Sequence, residues 1–204
     1  MTVLNVLATG IPYNNFSVYP SGDTYAAIDD PVGNPDDDTT YIYTSDQYSI
    51  QRFTFNAISI TPTSINSVKI FYRAKKTSAN ETTLKGVLYV EGTDYYETNP
   101  VTLTTDYQDF TTTEWLTNPK SGVAWTEEDI EASGGTNRLT RFGLYKPSGN
   151  EMRCTQIYMI VNYETASVTS VALSGTATNS ITETDIVNGS KTVILTLTGD
   201  TWIA

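Results

Sequence analysis

Histidine is absent from the 204 residues, and cysteine occurs once, as Cys154. Without histidine the chain lacks the commonest general base, the triads that depend on it and the usual zinc ligand. A single cysteine can form neither an intrachain disulfide nor a thiolate metal cluster. Its place in an apolar run is typical of a small buried hydrophobe. These absences exclude the commonest nucleophilic and metal-centre chemistries.

Positive charge is also scarce, with 12 Lys and Arg against 23 Asp and Glu, which gives a net charge of −11. The first basic residue is Arg52. Because an acidic surface repels phosphate backbones, we expect no nucleic-acid partner. No apolar run approaches the ~18 residues of a membrane span. Residues 1–8 have neither the basic leader nor the apolar core of a signal peptide, so synthesis in a cytoplasm without export or membrane insertion is expected.

Short runs of alternating apolar and polar residues recur along the chain and predict strands with one wet face. Between them lie Gly, Pro, Asn and Asp residues that favour turns. The pattern predicts an all-β fold, an antiparallel two-sheet β-sandwich of jelly-roll-like type. Strands are expected near residues 2–8, 24–28, 40–44, 52–57, 67–75, 84–90, 100–104, 107–113, 140–144 and 157–163.

One segment, 126–132, predicts a short helix. Thr126 is a good N-cap, and Asp129 three residues later forms a variant of the capping box. Glu127 and Glu128 beside Trp125 also fit the carboxylate pair that a glycosidase needs. A charged and capped helix start accounts for all of these acids, so we predict no catalytic residue and no enzymatic activity.

The composition changes near residues 163–167, which indicates a boundary between a β-sandwich at 1–163 and a C-terminal β segment at 164–204. Two strand-like runs, Val168 to Leu173 and Thr192 to Thr198, lie in this tail. A two-stranded unit is marginally stable alone. The tail is therefore an incomplete immunoglobulin-like unit or an assembly arm that completes its sheet on another surface. The candidate assembly residues are Val193, Leu195, Leu197 and Trp202.

An acidic loop is the most unusual local feature. Five carboxylates lie within ten residues, and Gly33 and two prolines bend the chain between them. Such oxygen-rich loops can bind a hard cation such as Ca²⁺, although the spacing does not match an EF-hand. The alternative is a solvated loop, and no other cofactor is expected. The candidate metal ligands are Asp29, Asp30, Asp36, Asp37 and Asp38.

The chain is rich in tyrosine, with 14 Tyr and three Trp residues. Flat rings with a polar tip suit wet sugar-binding sites. The alternative is that tyrosine fills half-buried strand positions, where it is common. The candidate sugar-stacking residues are Tyr41, Tyr43, Tyr95, Tyr96, Trp115 and Trp125.

Two stretches resemble known modules. The run Asn118-Pro119-Lys120-Ser121-Gly122-Val123-Ala124-Trp125-Thr126-Glu127-Glu128-Asp129-Ile130, with the later Gln156 to Tyr163, resembles a β-sandwich of tailed-phage and prophage virion structural proteins. The tail from Leu173 to Trp202 is similar to part of an Ig-like surface repeat. The resemblance implies a non-enzymatic virion component, such as a capsid decoration protein, head fibre or tail fibre. It implies location in the virion, with other virion proteins and further copies of the chain as partners. The alternative is a carbohydrate-binding module of an adhesin or enzyme, with a cell-surface glycan as partner.

Overall fold

Most of the chain forms antiparallel strands, as the alternating pattern predicts. The computed structural model describes residues 2–13, 15–56, 58, 60–130, 138–166, 182–187 and 190–194. The strands of these residues are β1 (Thr2–Leu7), β2 (Gly10–Tyr13), β3 (Ser17–Tyr19), β4 (Tyr41–Thr44), β5 (Ser49–Thr54), β6 (Ser64–Lys76), β7 (Thr83–Val90), β8 (Thr93–Tyr96), β9 (Val101–Thr102), β10 (Gln108–Thr111), β11 (Leu139–Ser148), β12 (Met152–Glu164), β13 (Thr182–Val187) and β14 (Ser190–Ile194).

Twelve of these strands form two six-stranded antiparallel sheets. The first sheet has the order β10-β6-β12-β4-β3, and β1 also pairs with β12. The second sheet has the order β2-β5-β11-β7-β8, and β9 also pairs with β7. The core lies between the two sheets, which confirms the predicted all-β sandwich.

The central strands keep the alternation of buried and exposed residues that the sequence predicts. Ile70 and Tyr72 of β6, Leu88 of β7 and Phe142 of β11 are fully buried in one apolar cluster. Their neighbours along each strand point to the outer faces, because successive side chains of a strand alternate between its two sides. The outer face of each sheet is thereby available for polar and aromatic residues.

The predicted helix is present as α1 (Glu127–Ile130) and carries the predicted capping box. The Thr126 amide donates to Asp129 Oδ2 over 2.9 Å, and the Asp129 amide donates to Thr126 Oγ1 over 3.3 Å. Ile130 is fully buried and anchors the helix to the core. Residues 131 and 132, which the prediction includes, lie outside the described part of the chain.

Three short strands, one 3₁₀ helix and one turn differ from the sequence prediction. Residues 24–28, predicted as a strand, contain a 3₁₀ helix at Tyr25–Ala27, because the Ile28 amide bonds locally to the Tyr25 carbonyl. Strands β2, β3 and β8 are not predicted, since three or four residues show too little alternation. The predicted turn after β7 is tighter than expected. Its two central residues, Glu91 and Gly92, have positive φ of 43° and 81°, as a type I′ hairpin requires, and β8 begins at once.

The C-terminal strands β13 and β14 pair with each other as an antiparallel hairpin. The predicted run Thr192 to Thr198 overlaps β14, whereas the run Val168 to Leu173 lies outside the described residues. Val193 belongs to β14, and Leu195, Leu197 and Trp202 lie outside the described residues, so the assembly role stays a prediction. The boundary near 163–167 follows the end of β12 and also stays a prediction. No helix in the described part of the chain is long and apolar enough to cross a membrane.

Candidate functional site

The acidic loop lies across the outer face of the first sheet, where it meets basic side chains from β6 and β12. Asp37 accepts two hydrogen bonds from the Arg73 guanidinium, over 2.6 and 2.9 Å. Asp38 accepts one from Lys75 Nζ over 2.7 Å and one from Arg153 over 3.3 Å. The Lys75 hydrogen bond lowers the pKa of Asp38, because it stabilises the carboxylate.

The other acids of the loop bond within the protein or face solvent. Asp36 accepts hydrogen bonds from the amide and hydroxyl of Thr40 and from the Thr155 hydroxyl, over 2.9–3.2 Å. Asp30 accepts one from the Asp36 amide over 2.9 Å, and burial raises its pKa. Asp29 is exposed and pairs through its backbone with Gln156. Among the described residues, no group of three or more acidic or cysteine side chains is placed to hold a metal ion.

Adding millimolar Ca²⁺ is therefore expected to leave the melting temperature of the protein unchanged, relative to the same sample with a chelator. The cations that neutralise Asp37 and Asp38 are already supplied by Arg73, Lys75 and Arg153. A ligand that binds only the folded state would raise the melting temperature. Thermal unfolding followed by circular dichroism measures the effect, and a clear rise in Ca²⁺ would support the calcium site instead.

The six sugar-stacking candidates differ sharply in accessibility. Tyr96 is exposed, at 43%. Trp125 is almost fully buried, and its indole donates to the Trp115 carbonyl over 2.8 Å. The others are buried or half-buried: Tyr41, Tyr43, Tyr95 and Trp115. Among the six sugar-stacking candidates, Tyr96 therefore has the ring that a ligand can reach most readily.

Tyr96 lies on the outer face of the second sheet. The strand register places Arg52 opposite Gly143, Gly143 opposite Val87 and Val87 opposite Tyr96. These residues point away from the core because their strand neighbours, among them Phe142 and Leu88, point into it. We call this surface the Tyr96 face, and its members are Arg52, Lys85, Val87, Tyr89, Asp94, Tyr96, Arg141, Gly143 and Tyr145.

Two tyrosines pack together at one side of the Tyr96 face. The Tyr96 and Tyr145 rings are 4.7 Å apart between centroids and are inclined at 53°. Val87 lies on the strand between them and is fully buried. The pKa of Tyr96 is raised, first by partial burial and then by the nearby Asp94 carboxylate. The Tyr96 ring is thus held in place by a neighbouring ring yet remains exposed.

An ion pair spans the middle of the Tyr96 face. Arg52 of β5 reaches across β11 and β7 and bonds to both carboxylate oxygens of Asp94 in β8, with Nε to Oδ1 at 2.7 Å. Gly143, opposite Arg52 on β11, carries no side chain to obstruct this path. A bidentate pair of this kind fixes both side chains in one plane. The floor of the face is therefore ordered by its own contacts.

Two guanidinium groups contact the Tyr89 ring. The Arg52 guanidinium carbon is 4.9 Å from the ring centroid, and that of Arg141 is 4.8 Å from it. Both distances are within the range of a cation–π interaction. Of the acidic residues that the structure describes, Asp94 is the one that belongs to the Tyr96 face. The arrangement offers ring surfaces and hydrogen-bond donors, and it lacks the second carboxylate of a glycosidase pair.

Most members of the Tyr96 face could not be identified from the sequence. Tyr89, Tyr145, Arg52, Asp94 and Arg141 were not among the candidates, although Tyr96 was. The sequence pattern does indicate which side chains point outward. Lys85 and Tyr89 alternate with buried residues along β7, and Arg141 and Tyr145 alternate with buried residues along β11. The alternation predicts that these side chains point outward. It does not predict which strands become neighbours.

No protein-family model matches the chain, and no curated protein matches it. Several solved structures resemble its fold. The C-terminal CBM6 of LamC from Zobellia galactanivorans is 12% identical, with a TM-score of 0.43 over 79% of this chain and 100% of that one. The CBM22-1 xylan-binding domain of Xyn10C from Paenibacillus barcinonensis is 9% identical, with a TM-score of 0.42 over 81% of this chain and 95% of that one. A CBM35 from the same organism is 16% identical, with a TM-score of 0.39 over 80% of this chain and 100% of that one.

Similarity at these identities and TM-scores does not extend to function. All three structures are carbohydrate-binding modules, and none of the three is described as a virion protein. The virion role, its location and its protein partners therefore stay predictions.

Proposed function

We propose that this chain is a non-catalytic glycan-binding β-sandwich that binds sugar through the Tyr96 face. The observation that carries the proposal is an exposed tyrosine ring, Tyr96, held against Tyr145 beside the ordered pair of Arg52 and Asp94. A cell-surface glycan is a partner that a virion appendage and an adhesin module would share.

Sugar chemistry fits this combination of groups. A pyranose ring has apolar C–H faces that pack on an aromatic ring and hydroxyl edges that need polar partners. The Tyr96 face provides an exposed ring, phenolic hydroxyls and guanidinium donors within neighbouring strands. Because these side chains already contact one another, binding would immobilise few additional rotamers.

The absence of catalysis is part of the proposal. Glycoside hydrolysis uses two carboxyl groups about 5–10 Å apart on either side of the bond to be cleaved. The Tyr96 face has the single carboxylate Asp94, and both of its oxygens bond to Arg52. Of the three acids in α1, Asp129 belongs to the capping box, in which its carboxylate accepts from the Thr126 amide. Glu127 and Glu128 lie in the first turn, where acidic side chains are favoured. We therefore expect binding without turnover.

Replacing Tyr96 with alanine is expected to weaken glycan binding about tenfold or more, because it removes the most accessible ring of the site. The matched control is Tyr19→Ala. Tyr19 is 46% exposed and stacks on Tyr41 at 4.9 Å, so it has similar exposure and a similar ring partner on the opposite sheet. Affinity electrophoresis and calorimetric titration against xylan, dextran, dextran sulfate, polygalacturonate and alginate measure the effect.

The two variants together locate the site. Loss of binding in Tyr96→Ala with retention in Tyr19→Ala supports the proposal. The reverse pattern would place the site on the first sheet and contradict the assignment to the Tyr96 face. If the unmodified protein binds none of these polysaccharides, glycan binding itself is the wrong function. Release of sugar from any of them would contradict the absence of catalysis.

A further inference from the structure

We infer that the glycan bound at the Tyr96 face is anionic, and that Arg141 binds its carboxylate or sulfate group. This inference rests on the proposed glycan-binding function and names the class of sugar that the face would select. It is carried by the distribution of charge over the two outer faces and by the contacts of Arg141.

The Tyr96 face is cationic on a strongly acidic protein. Its charged residues are Arg52, Lys85, Arg141 and Asp94, that is, three cations and one carboxylate. The whole chain carries a net charge of −11. A polyanion is repelled by such a protein unless a local site of opposite charge attracts it. A cationic surface on a protein of this net charge therefore indicates a ligand of negative charge.

The three cations of the Tyr96 face differ in their hydrogen-bond and ion-pair partners within the protein. Arg52 is paired with Asp94, and Lys85 Nζ donates to the Thr98 carbonyl over 2.9 Å. Arg141 packs its guanidinium on the Tyr89 ring and, among the described residues, has no hydrogen-bond acceptor or ion-pair partner. It is half-buried, so its charge is partly removed from water without being neutralised.

The geometry of Arg141 suits an oxyanion. A guanidinium that lies over an aromatic ring uses one of its flat faces for that contact. The five N–H donors of a guanidinium lie in its plane, and those of Arg141 have no acceptor among the described residues, so they remain available to a ligand. A carboxylate or sulfate accepts two such hydrogen bonds side by side. The contact with Tyr89 also limits the orientations that the guanidinium can adopt before binding.

The outer face of the first sheet provides the contrast. The cations of this face are each paired with acids of the protein; they are Lys69, Arg73, Lys75 and Arg153. The acids that pair with them are Asp37, Asp38, Asp109, Glu114 and Glu151. An anionic ligand would have to displace these carboxylates. The Tyr96 face is thus the more favourable of the two surfaces for an acidic sugar.

The test compares polymers that share a backbone and differ in charge. Dextran sulfate is paired with dextran, and carboxymethylcellulose with hydroxyethylcellulose; polygalacturonate and alginate are added as natural polyuronates. Binding of the full chain is measured at about 0.15 M NaCl, where charges farther apart than about 8 Å are screened. The variants are Arg141→Gln, Arg141→Lys and the control Arg153→Gln, which removes a guanidinium lying 4.6 Å from the Tyr41 ring on the first sheet.

We expect at least one anionic polymer to bind about tenfold or more tightly than its neutral counterpart or the neutral panel, and Arg141→Gln to abolish that preference. The control Arg153→Gln should retain it. Arg141→Lys should bind both kinds of anionic polymer more tightly than Arg141→Gln and less tightly than the unmodified protein, because lysine retains the charge and loses the planar fork.

The outcomes separate this inference from the proposed function. Binding of a neutral glycan that depends on Tyr96 and is unchanged in Arg141→Gln would overturn the inference and leave the function standing. An anionic preference that persists in Arg141→Gln would overturn the role of Arg141. Failure of all the polymers to bind the unmodified protein would overturn both.

Discussion

Replacing Gly143 with alanine is expected to lower the free energy of unfolding by about 3 kcal/mol, as overpacking within a close-packed site does. A Cβ atom at this position would lie 1.9 Å from the Gln51 carbonyl oxygen and 2.9 Å from its carbon. Both atoms belong to the backbone of β5, which pairs with β11 at this level. Relief of the clash therefore requires the two strands to separate, in the centre of the second sheet.

The matched control is Gly10→Ala at the edge of the same sheet. A Cβ there would meet the Thr54 hydroxyl at 2.8 Å, which is the end of a side chain that can rotate away. We expect the urea concentration at the unfolding midpoint of Gly10→Ala to be close to that of the unmodified protein, whereas the midpoint of Gly143→Ala is expected to fall. Equal midpoints for Gly143→Ala and the unmodified protein would show that β5 and β11 tolerate a side chain between them.

How far the sequence predicts the fold depends on the length of each strand. Strands β6, β7 and β12 contain long alternating runs, and each of them covers a range in which a strand is predicted. Strands β2 and β3 have four and three residues, which is too few to distinguish alternation from chance. Such strands are defined by pairing with a neighbour, and pairing is a property of the folded chain.

Prediction of the candidate sites from the sequence is limited by the distance along the chain between residues that meet in the fold. The acidic loop is without basic neighbours in sequence, and this led to the calcium hypothesis. Arg73 reaches Asp37 across 36 positions, and Arg153 reaches Asp38 across 115. The same holds for the Tyr96 face, where Arg52 and Asp94 are 42 positions apart. The sequence can name outward-facing residues, but strand order decides which of them meet.

Lys146 is a buried cation whose role is structural. It lies at the end of β11, opposite Ser49 of β5, and is 0% exposed. Its Nζ donates to three backbone carbonyls, those of Ser45 and Asp46 at 3.1 Å and that of Gly149 at 2.8 Å. Burial lowers the pKa of Lys146, because removal from water disfavours the charged form. The three carbonyls offset that cost and tie two loops to the end of the second sheet.

Replacing Lys146 with methionine is therefore expected to lower the free energy of unfolding by about 3 kcal/mol. Three part-buried hydrogen bonds from a charged donor are lost, each worth about 1.5–3 kcal/mol, and the ammonium no longer has to be removed from water, which offsets part of that loss. The matched control is Lys76→Met. Lys76 Nζ donates to one carbonyl, that of Ala79 at 3.3 Å near the surface, so a change below about 0.5 kcal/mol is expected there. Urea unfolding of both variants followed by circular dichroism provides the comparison. A Lys146→Met variant as stable as the unmodified protein would show that water replaces the ammonium group, or that its desolvation cost cancels the three hydrogen bonds.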